Sequence, residues 1–202
     1  AVNQKANLIL TPEISSIFLL NKKRPLKICT SMDKDIYLKG IKKSAKKYKV
    51  WILVGSVIIK ISNTKLVNRS VLINDKGKIK CFYDKIHMYD AKLSKYETYK
   101  ESKTFIAGKK LKSHRLPWGK IGLTICYDLR FPNLFRQLAK RGAQIILMPA
   151  AFTVPSGKAH WEVMLRSRAI ENSFFVIATD MCGTHHTNRK TYGHSILVNP
   201  WG

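Results

Sequence analysis

Cys126 closes the apolar run Lys120-Ile-Gly-Leu-Thr-Ile-Cys126 and is followed at once by Tyr127-Asp-Leu-Arg-Phe-Pro132 and a helical pattern. A thiol on such a strand-to-helix turn projects beyond the sheet, where backbone N–H groups can face a developing oxyanion, so it is a candidate nucleophile. A free thiol has a pKa near ~8.5 and needs a base to take its proton; a carboxylate shielded from water becomes basic enough to do so. Glu13, directly after Asn7-Leu-Ile-Leu-Thr-Pro12, ends another strand-like run and is the candidate base. Lys85 opens Lys-Ile-His-Met-Tyr-Asp90, after a hairpin pattern that turns at Asn74-Asp-Lys-Gly77. Its ammonium and the N–H of Tyr127 are candidates for holding the negative charge of a tetrahedral intermediate. Taken singly, Cys126 reads as a small core residue, Glu13 as a strand-end surface carboxylate and Lys85 as one more solvated lysine. Only together do they point to acyl transfer.

Residues so far apart in sequence can meet only if their strands end on one side of the fold. Open α/β sheets gather ligands there, beyond the carboxyl ends of their strands. Around Cys126 the pattern is complete: Pro132 suits a first helical position, Leu134, Phe135 and Leu138 form one apolar face, and Gly142 reads as the helix stop. Ala143-Gln-Ile-Ile-Leu-Met148 then reads as a buried strand. Upstream, Lys39 to Lys49 reads as an amphipathic helix with a wet basic face, leading into Val50-Trp-Ile-Leu-Val54. Strands and helices alternate, which predicts the α/β class. A chain of 202 residues with 45% hydrophobic content fits one domain over 1–202, and it contains no internal repeat or long low-complexity segment.

The net charge of +25 raises the alternative of a nucleic-acid-binding module. The 28 lysines and 9 arginines are scattered, however, and no motif interleaves them with aromatic residues. A general drift toward Lys, Ile and Asn accounts for the charge more simply, so no specific nucleic-acid partner is expected. Cys182-Gly-Thr-His185-His186 has a local spacing for two metal ligands, but no second pair completes the set, and no metal is expected. Four scattered cysteines, 29, 81, 126 and 182, suit free thiols in a reducing compartment, with cytoplasm as the default location. No apolar run approaches the ~20 residues that cross a bilayer, so no membrane partner is expected either.

Pro12-Glu13, Lys85-Ile-His-Met-Tyr-Asp90, Tyr99-Lys-Glu-Ser102 and Cys126-Tyr-Asp-Leu-Arg-Phe-Pro132 occur in the order and approximate spacing of the nitrilase superfamily of carbon–nitrogen hydrolases, which the chain resembles over most of its length. Ala159-His-Trp-Glu162, Arg166-Ser-Arg-Ala-Ile-Glu171, Cys182-Gly-Thr-His-His186 and Tyr192-Gly-His-Ser195 through Asn199-Pro-Trp-Gly202 are similar to the branch that contains deaminated-glutathione amidase. Omega-amidase, acting on α-keto acid amides, is the nearest competitor, and a degenerate fragment without activity shares every motif.

The resemblance implies a four-layer αββα sandwich that dimerises. It also implies a cofactor-free, thiol-dependent amidase that releases ammonia from a small carboxylate-bearing amide through a thioacyl-enzyme. Glu101 is implied as a second carboxylate orienting Lys85. Arg130, just past the nucleophile, is a candidate to grip a substrate carboxylate, unless it pairs with Asp128 or another acid on its own turn. Thr153, His160, Trp161 and Glu162 are pocket or pocket-support candidates by resemblance alone. Two positions depart from the family pattern: Asn133, where relatives have glutamate, and Asp180-Met181, in place of small or amide residues. Neither is expected to be catalytic; both bear on substrate choice. The chain is expected to lack the usual first strand and helix and the C-terminal strands, leaving an unpaired sheet edge and exposed apolar surface.

Overall fold

A computed structural model describes residues 1–16, 25–92, 98–185 and 189–202. The strands are β1 (Leu8–Leu10), β2 (Trp51–Lys60), β3 (Leu66–Ile73), β4 (Ile79–Asp84), β5 (Asp90–Lys92), β6 (Thr98–Lys100), β7 (Lys112–Leu116), β8 (Gly119–Leu123), β9 (Ile145–Ala150), β10 (Phe175–Asp180), β11 (Cys182–Thr184), β12 (Lys190–Tyr192) and β13 (Ile196–Val198). The α-helices are α1 (Pro25–Ile28), α2 (Ile36–Tyr48), α3 (Pro132–Lys140) and α4 (Val154–Asn172). Two mixed sheets result, in the orders β1-β2-β3-β4 and β13-β10-β9-β8-β7, with two small hairpins, β5-β6 and β11-β12, beside them.

Alternation along the strands makes the layers. Ile52, Val54, Val71 and Ile73 pack with Leu38 and Ala45 of α2, while Leu53, Leu72, Cys81 and Tyr83 turn the other way and join Ile121, Leu123 and Leu147 of the second sheet in one buried cluster. Leu134, Phe135 and Leu138 of α3 and Trp161, Leu165 and Ala169 of α4 cover that sheet's outer face. This is the αββα sandwich that the resemblance implied. Among the described residues, no helix is long and apolar enough to cross a membrane.

Local chemistry explains most element ends. Asp35 caps α2 by accepting from the Leu38 N–H at 2.8 Å. The β3-β4 hairpin turns as predicted, with Asn74 Oδ1 accepting from the N–H groups of Lys76 and Lys78, and Gly77 at φ 72°. One boundary differs: the strand expected at 143–148 runs at Ile145–Ala150. Gly142 and Ala143 instead close α3, donating to Ala139 O at 2.7 Å and Leu138 O at 3.0 Å, so pairing begins two residues later.

Gly55 matters for the candidate base. A Cβ there would run into the carbonyl oxygens of Thr11 and Pro12, so only glycine lets the turn after β1 lie flat on β2. Gly55→Ala is expected to cost about 2 kcal/mol or more, because the obstacle is backbone and cannot rotate away. Urea unfolding of the variant against wild type measures it.

Candidate active site

Glu13 lies just past the end of β1 in a turn bound to β2 and β9. Gly55 N–H donates to Thr11 Oγ1 (2.9 Å), Ile14 N–H to Ser56 Oγ (2.8 Å) and Glu13 N–H to Ala150 O (3.3 Å). The carboxylate is 3% exposed. Its Oε1 is 2.9 Å from Lys85 Nζ and accepts from Asn68 Nδ2, also at 2.9 Å.

Lys85 follows β4 and is 2% exposed. On its other side sits Glu101, whose Oε2 and Oε1 are 2.8 and 3.1 Å from Nζ. Glu101 Oε2 also accepts the Tyr89 N–H at 2.7 Å, which fixes the carboxylate relative to the segment that carries Lys85. An ammonium so deeply buried holds its charge only because two carboxylates face it.

Cys126 begins a short 3-10 turn, Cys126–Arg130, between β8 and α3. Strand pairing ends at Leu123, earlier than the apolar run suggested, and Thr124 is held by its N–H and hydroxyl to Leu147 O. Cys126 then adopts φ 49°, a left-handed conformation that costs a non-glycine residue about 1 kcal/mol or more. Its sulfur meets the Glu13 side chain and the Ala151 N–H. Asp128, fully buried, braces the turn: Oδ2 accepts from the Tyr83 hydroxyl and the Ile125 N–H, both at 2.8 Å, and Oδ1 accepts the His87 N–H at 3.1 Å with His87 Nδ1 2.7 Å away.

These contacts set the protonation states. Burial works to raise the Glu13 carboxyl, but the Lys85 ammonium and hydrogen bonds from Cys126, Lys85 and Asn68 outweigh it and hold the pKa below its ordinary value. Burial also works against the Lys85 ammonium, yet Glu101 and Glu13 hold its pKa well above the usual. Burial, reinforced by the Glu13 charge, pushes the Cys126 thiol well up despite Lys85 and the Ala151 N–H. The resting cluster is therefore thiol, carboxylate and ammonium, with the thiol beside its candidate base.

The remaining residues named from sequence are more dispersed. Tyr127 follows the nucleophile, its ring 5.1 Å from that of Tyr89 and 5.6 Å from that of Phe131. Arg130 does not pair with Asp128, whose oxygens are taken up inside the fold; its Nη2 lies 3.0 Å from His160 Nδ1. Thr153 is buried at the start of α4, with its hydroxyl 2.7 Å from that of Ser156. His160 is exposed. Glu162 forms a surface ion pair with Arg166 at 3.0 Å, while Trp161 is buried, donating to His194 O at 2.8 Å with its ring 4.8 Å from that of Phe152. Helical spacing puts 160 and 162 on different faces, so adjacency in sequence did not carry over. Cys182 is exposed on β11, His185 Nε2 is 2.6 Å from Thr191 Oγ1, and His186 lies outside the described residues. Asn68 and Asp128 were missed as structural partners of the site. The available signal for Asn68 was an amide in the otherwise apolar stretch Leu66-Val-Asn-Arg-Ser-Val-Leu-Ile73.

The sandwich thus carries a buried carboxylate, ammonium and thiol together at one end, and comparison with known proteins places its family. The carbon-nitrogen hydrolase family matches residues 1–202, and the chain belongs to that family. It is 44% identical to the deaminated glutathione amidase of Yersinia enterocolitica over 165 residues, covering 80% of this chain and 58% of that one. It is 38% identical to the deaminated glutathione amidase of Synechocystis sp. (strain PCC 6803 / GT-S), covering all of this chain and 75% of the relative. The crystal structure of the Caenorhabditis elegans NitFhit protein superposes with a TM-score of 0.91 at 35% identity, over 100% of this chain and 50% of that one.

Proposed function

We propose that this protein is a thiol-dependent amidase that hydrolyses the C–N bond of a small carboxylate-bearing amide, with a deaminated-glutathione amidase-like specificity. One observation carries the reading: Cys126, on a left-handed turn, abuts a buried carboxylate that is itself ion-paired to a buried ammonium. The names of the relatives support the substrate class.

In the first half-reaction the Cys126 sulfur attacks the amide carbon while Glu13 takes the thiol proton. An ammonium has three N–H donors. Glu13 and Glu101 occupy two directions around Lys85 Nζ, and the third, with the Tyr127 N–H, serves the oxyanion. The C–N bond then breaks, Glu13 returns the proton to the leaving nitrogen, and ammonia departs. In the second half-reaction Glu13 takes a proton from water, the hydroxide attacks the thioester, and the carbon–sulfur bond breaks. The sulfur regains its proton from Glu13, and the carboxylic acid leaves, giving up its own proton to solvent to become a carboxylate. Glu101 orients Lys85 throughout. Arg130, with His160 beside it, and Thr153 are the proposed substrate contacts, Arg130 pairing with the substrate carboxylate. A homodimer belongs to the same proposal; Val163 and Ile170 of α4, with Leu197 and Trp201, offer exposed apolar surface for it.

Ammonia release from a panel of α-keto acid amides tests the reading. Faster release from deaminated glutathione than from α-ketoglutaramate is expected; the reverse order selects omega-amidase, and no release from folded protein refutes the proposal. Glu13→Gln keeps the shape of the base and removes its function. Alkylation of Cys126 near pH 7 should slow by about 10²-fold or more, and an unchanged rate would assign the base elsewhere.

A further inference from the structure

We infer that Asp180 is a positioning residue of this site: a buried carboxylate that holds the Ala150–Thr153 segment against Cys126. The inference rests on the thiol chemistry proposed above. Asp180 ends β10 and is 4% exposed. Its Oδ1 accepts the Phe152 N–H at 2.8 Å, while its Oδ2 is buried and receives no hydrogen bond. The N–H groups of Met181 and Gly193 favour the charged form from nearby, but they donate to Ala150 O (3.0 Å) and Met181 O (3.1 Å). A buried carboxylate with an oxygen left unanswered is costly, and the bond to Phe152 alone does not require a charge, since an asparagine oxygen would accept it equally well.

The segment it holds is part of the site. Ala150 O accepts the Glu13 N–H, Ala151 N–H faces the Cys126 sulfur, and Phe152 N–H, the next donor along, is the one tied to Asp180. Thr179, one residue before Asp180, donates its hydroxyl to Thr11 O at 3.2 Å and so fastens β10 to the Glu13 turn as well.

Glu13 is the charged group that bears on Asp180. The segment 150–153 and residues 181 and 193 contribute backbone N–H groups, and Ser195 contributes a hydroxyl that accepts the Asp180 N–H at 3.2 Å. Lys85 and Cys126 reach Asp180 through Glu13, which both contact. Burial, with the Glu13 charge adding to it, outweighs the N–H groups and pushes the Asp180 carboxyl up to about 7. Its ionisation therefore falls near neutrality. A negative charge gained there strengthens Glu13 as a base toward the thiol.

The test is the rate of Cys126 carbamidomethylation by iodoacetamide from pH 5 to 9, read by peptide mass spectrometry, in wild type, Asp180→Asn and Asp180→Ala. In wild type the rate should step up roughly threefold or more near pH 7, half a pKa unit of added basicity being worth about that factor. Asp180→Ala should be slower throughout and lack the step. Asp180→Asn, which keeps the bond to Phe152, should recover most of the rate below pH 6 and still lack the step. A wild type without a step, a step that persists in Asp180→Asn, or a uniform scaling of the whole profile overturns the inference, the last being what a merely structural residue would give. Should Asp180→Ala unfold, Asp180→Asn decides. Alkylation needs no substrate, so a failure of the amidase reading leaves this readout intact.

Discussion

Cys126→Ala is expected to abolish ammonia release, by about 10⁴-fold or more, while leaving the fold in place. The proposed reaction runs through a covalent bond to the Cys126 sulfur, and no other thiol is placed to substitute: Cys29 and Cys81 are buried in the core away from Glu13 and Lys85, and Cys182 is exposed on β11. The backbone tolerates the change because alanine keeps the same Cβ at the same φ of 49°, so no strain is added. Glu13 loses the thiol as a hydrogen-bond donor but keeps Lys85 and Asn68. Stability should therefore stay within about 1 kcal/mol of wild type. Parallel thermal melts and ammonia assays measure both halves, and turnover surviving in a folded Cys126→Ala protein would falsify the nucleophile assignment.

Lys85→Met should produce the largest loss of stability of any single change at the site. Removing the ammonium leaves Glu13 and Glu101 facing each other in a buried space with no cation between them. Breaking a buried ion pair in this way costs about 3–5 kcal/mol, a large share of what a domain of this kind has in total. The sign with pH follows from the wild-type shifts. Glu13, with its folded pKa lowered, contributes stability that is present above its unfolded value of about 4.3 and lost as pH falls through the folded one. Lys85, with its folded pKa raised, contributes stability that is complete below about 10.4 and lost as pH rises through the folded value. In Lys85→Met a carboxyl can take up a proton instead, so the deficit should shrink from pH 7 to pH 5. Lys85→Met with Glu13→Gln should recover part of it at pH 7. Denaturant unfolding at both pH values tests this; an equal deficit at pH 5 and pH 7 would mean that packing, not charge, dominates.

Much of this architecture was legible in the residues because the signals are local. Pro132, the apolar trio Leu134, Phe135 and Leu138, and Gly142 delimit α3 through φ restriction, helical period and left-handed freedom, none of which needs a distant partner. The hairpin at Asn74 to Gly77 was equally readable, since an asparagine side chain and a glycine close the turn by themselves. The exit of β8 was less so: the apolar run continues to Cys126, and only the loss of a pairing partner beyond Leu123 ends the strand.

Sequence by itself determined the residue types of the chemistry and the strand ends that present them: a thiol before a helix, a carboxylate and an amine after strands. Tertiary structure alone decided that Glu13 and Lys85 approach to 2.9 Å, that Glu101 closes the other side, and that Arg130 turns to His160 rather than Asp128. It also decided that Asn68, Asp128 and Asp180 stand around the cluster as buried polar groups. The reason is physical. A protonation state depends on burial and on charges within a few ångströms; Glu13 and Lys85, 72 positions apart, become neighbours because β1 and β4 run the same way in one sheet, and Cys126 joins them only when the second sheet packs against it.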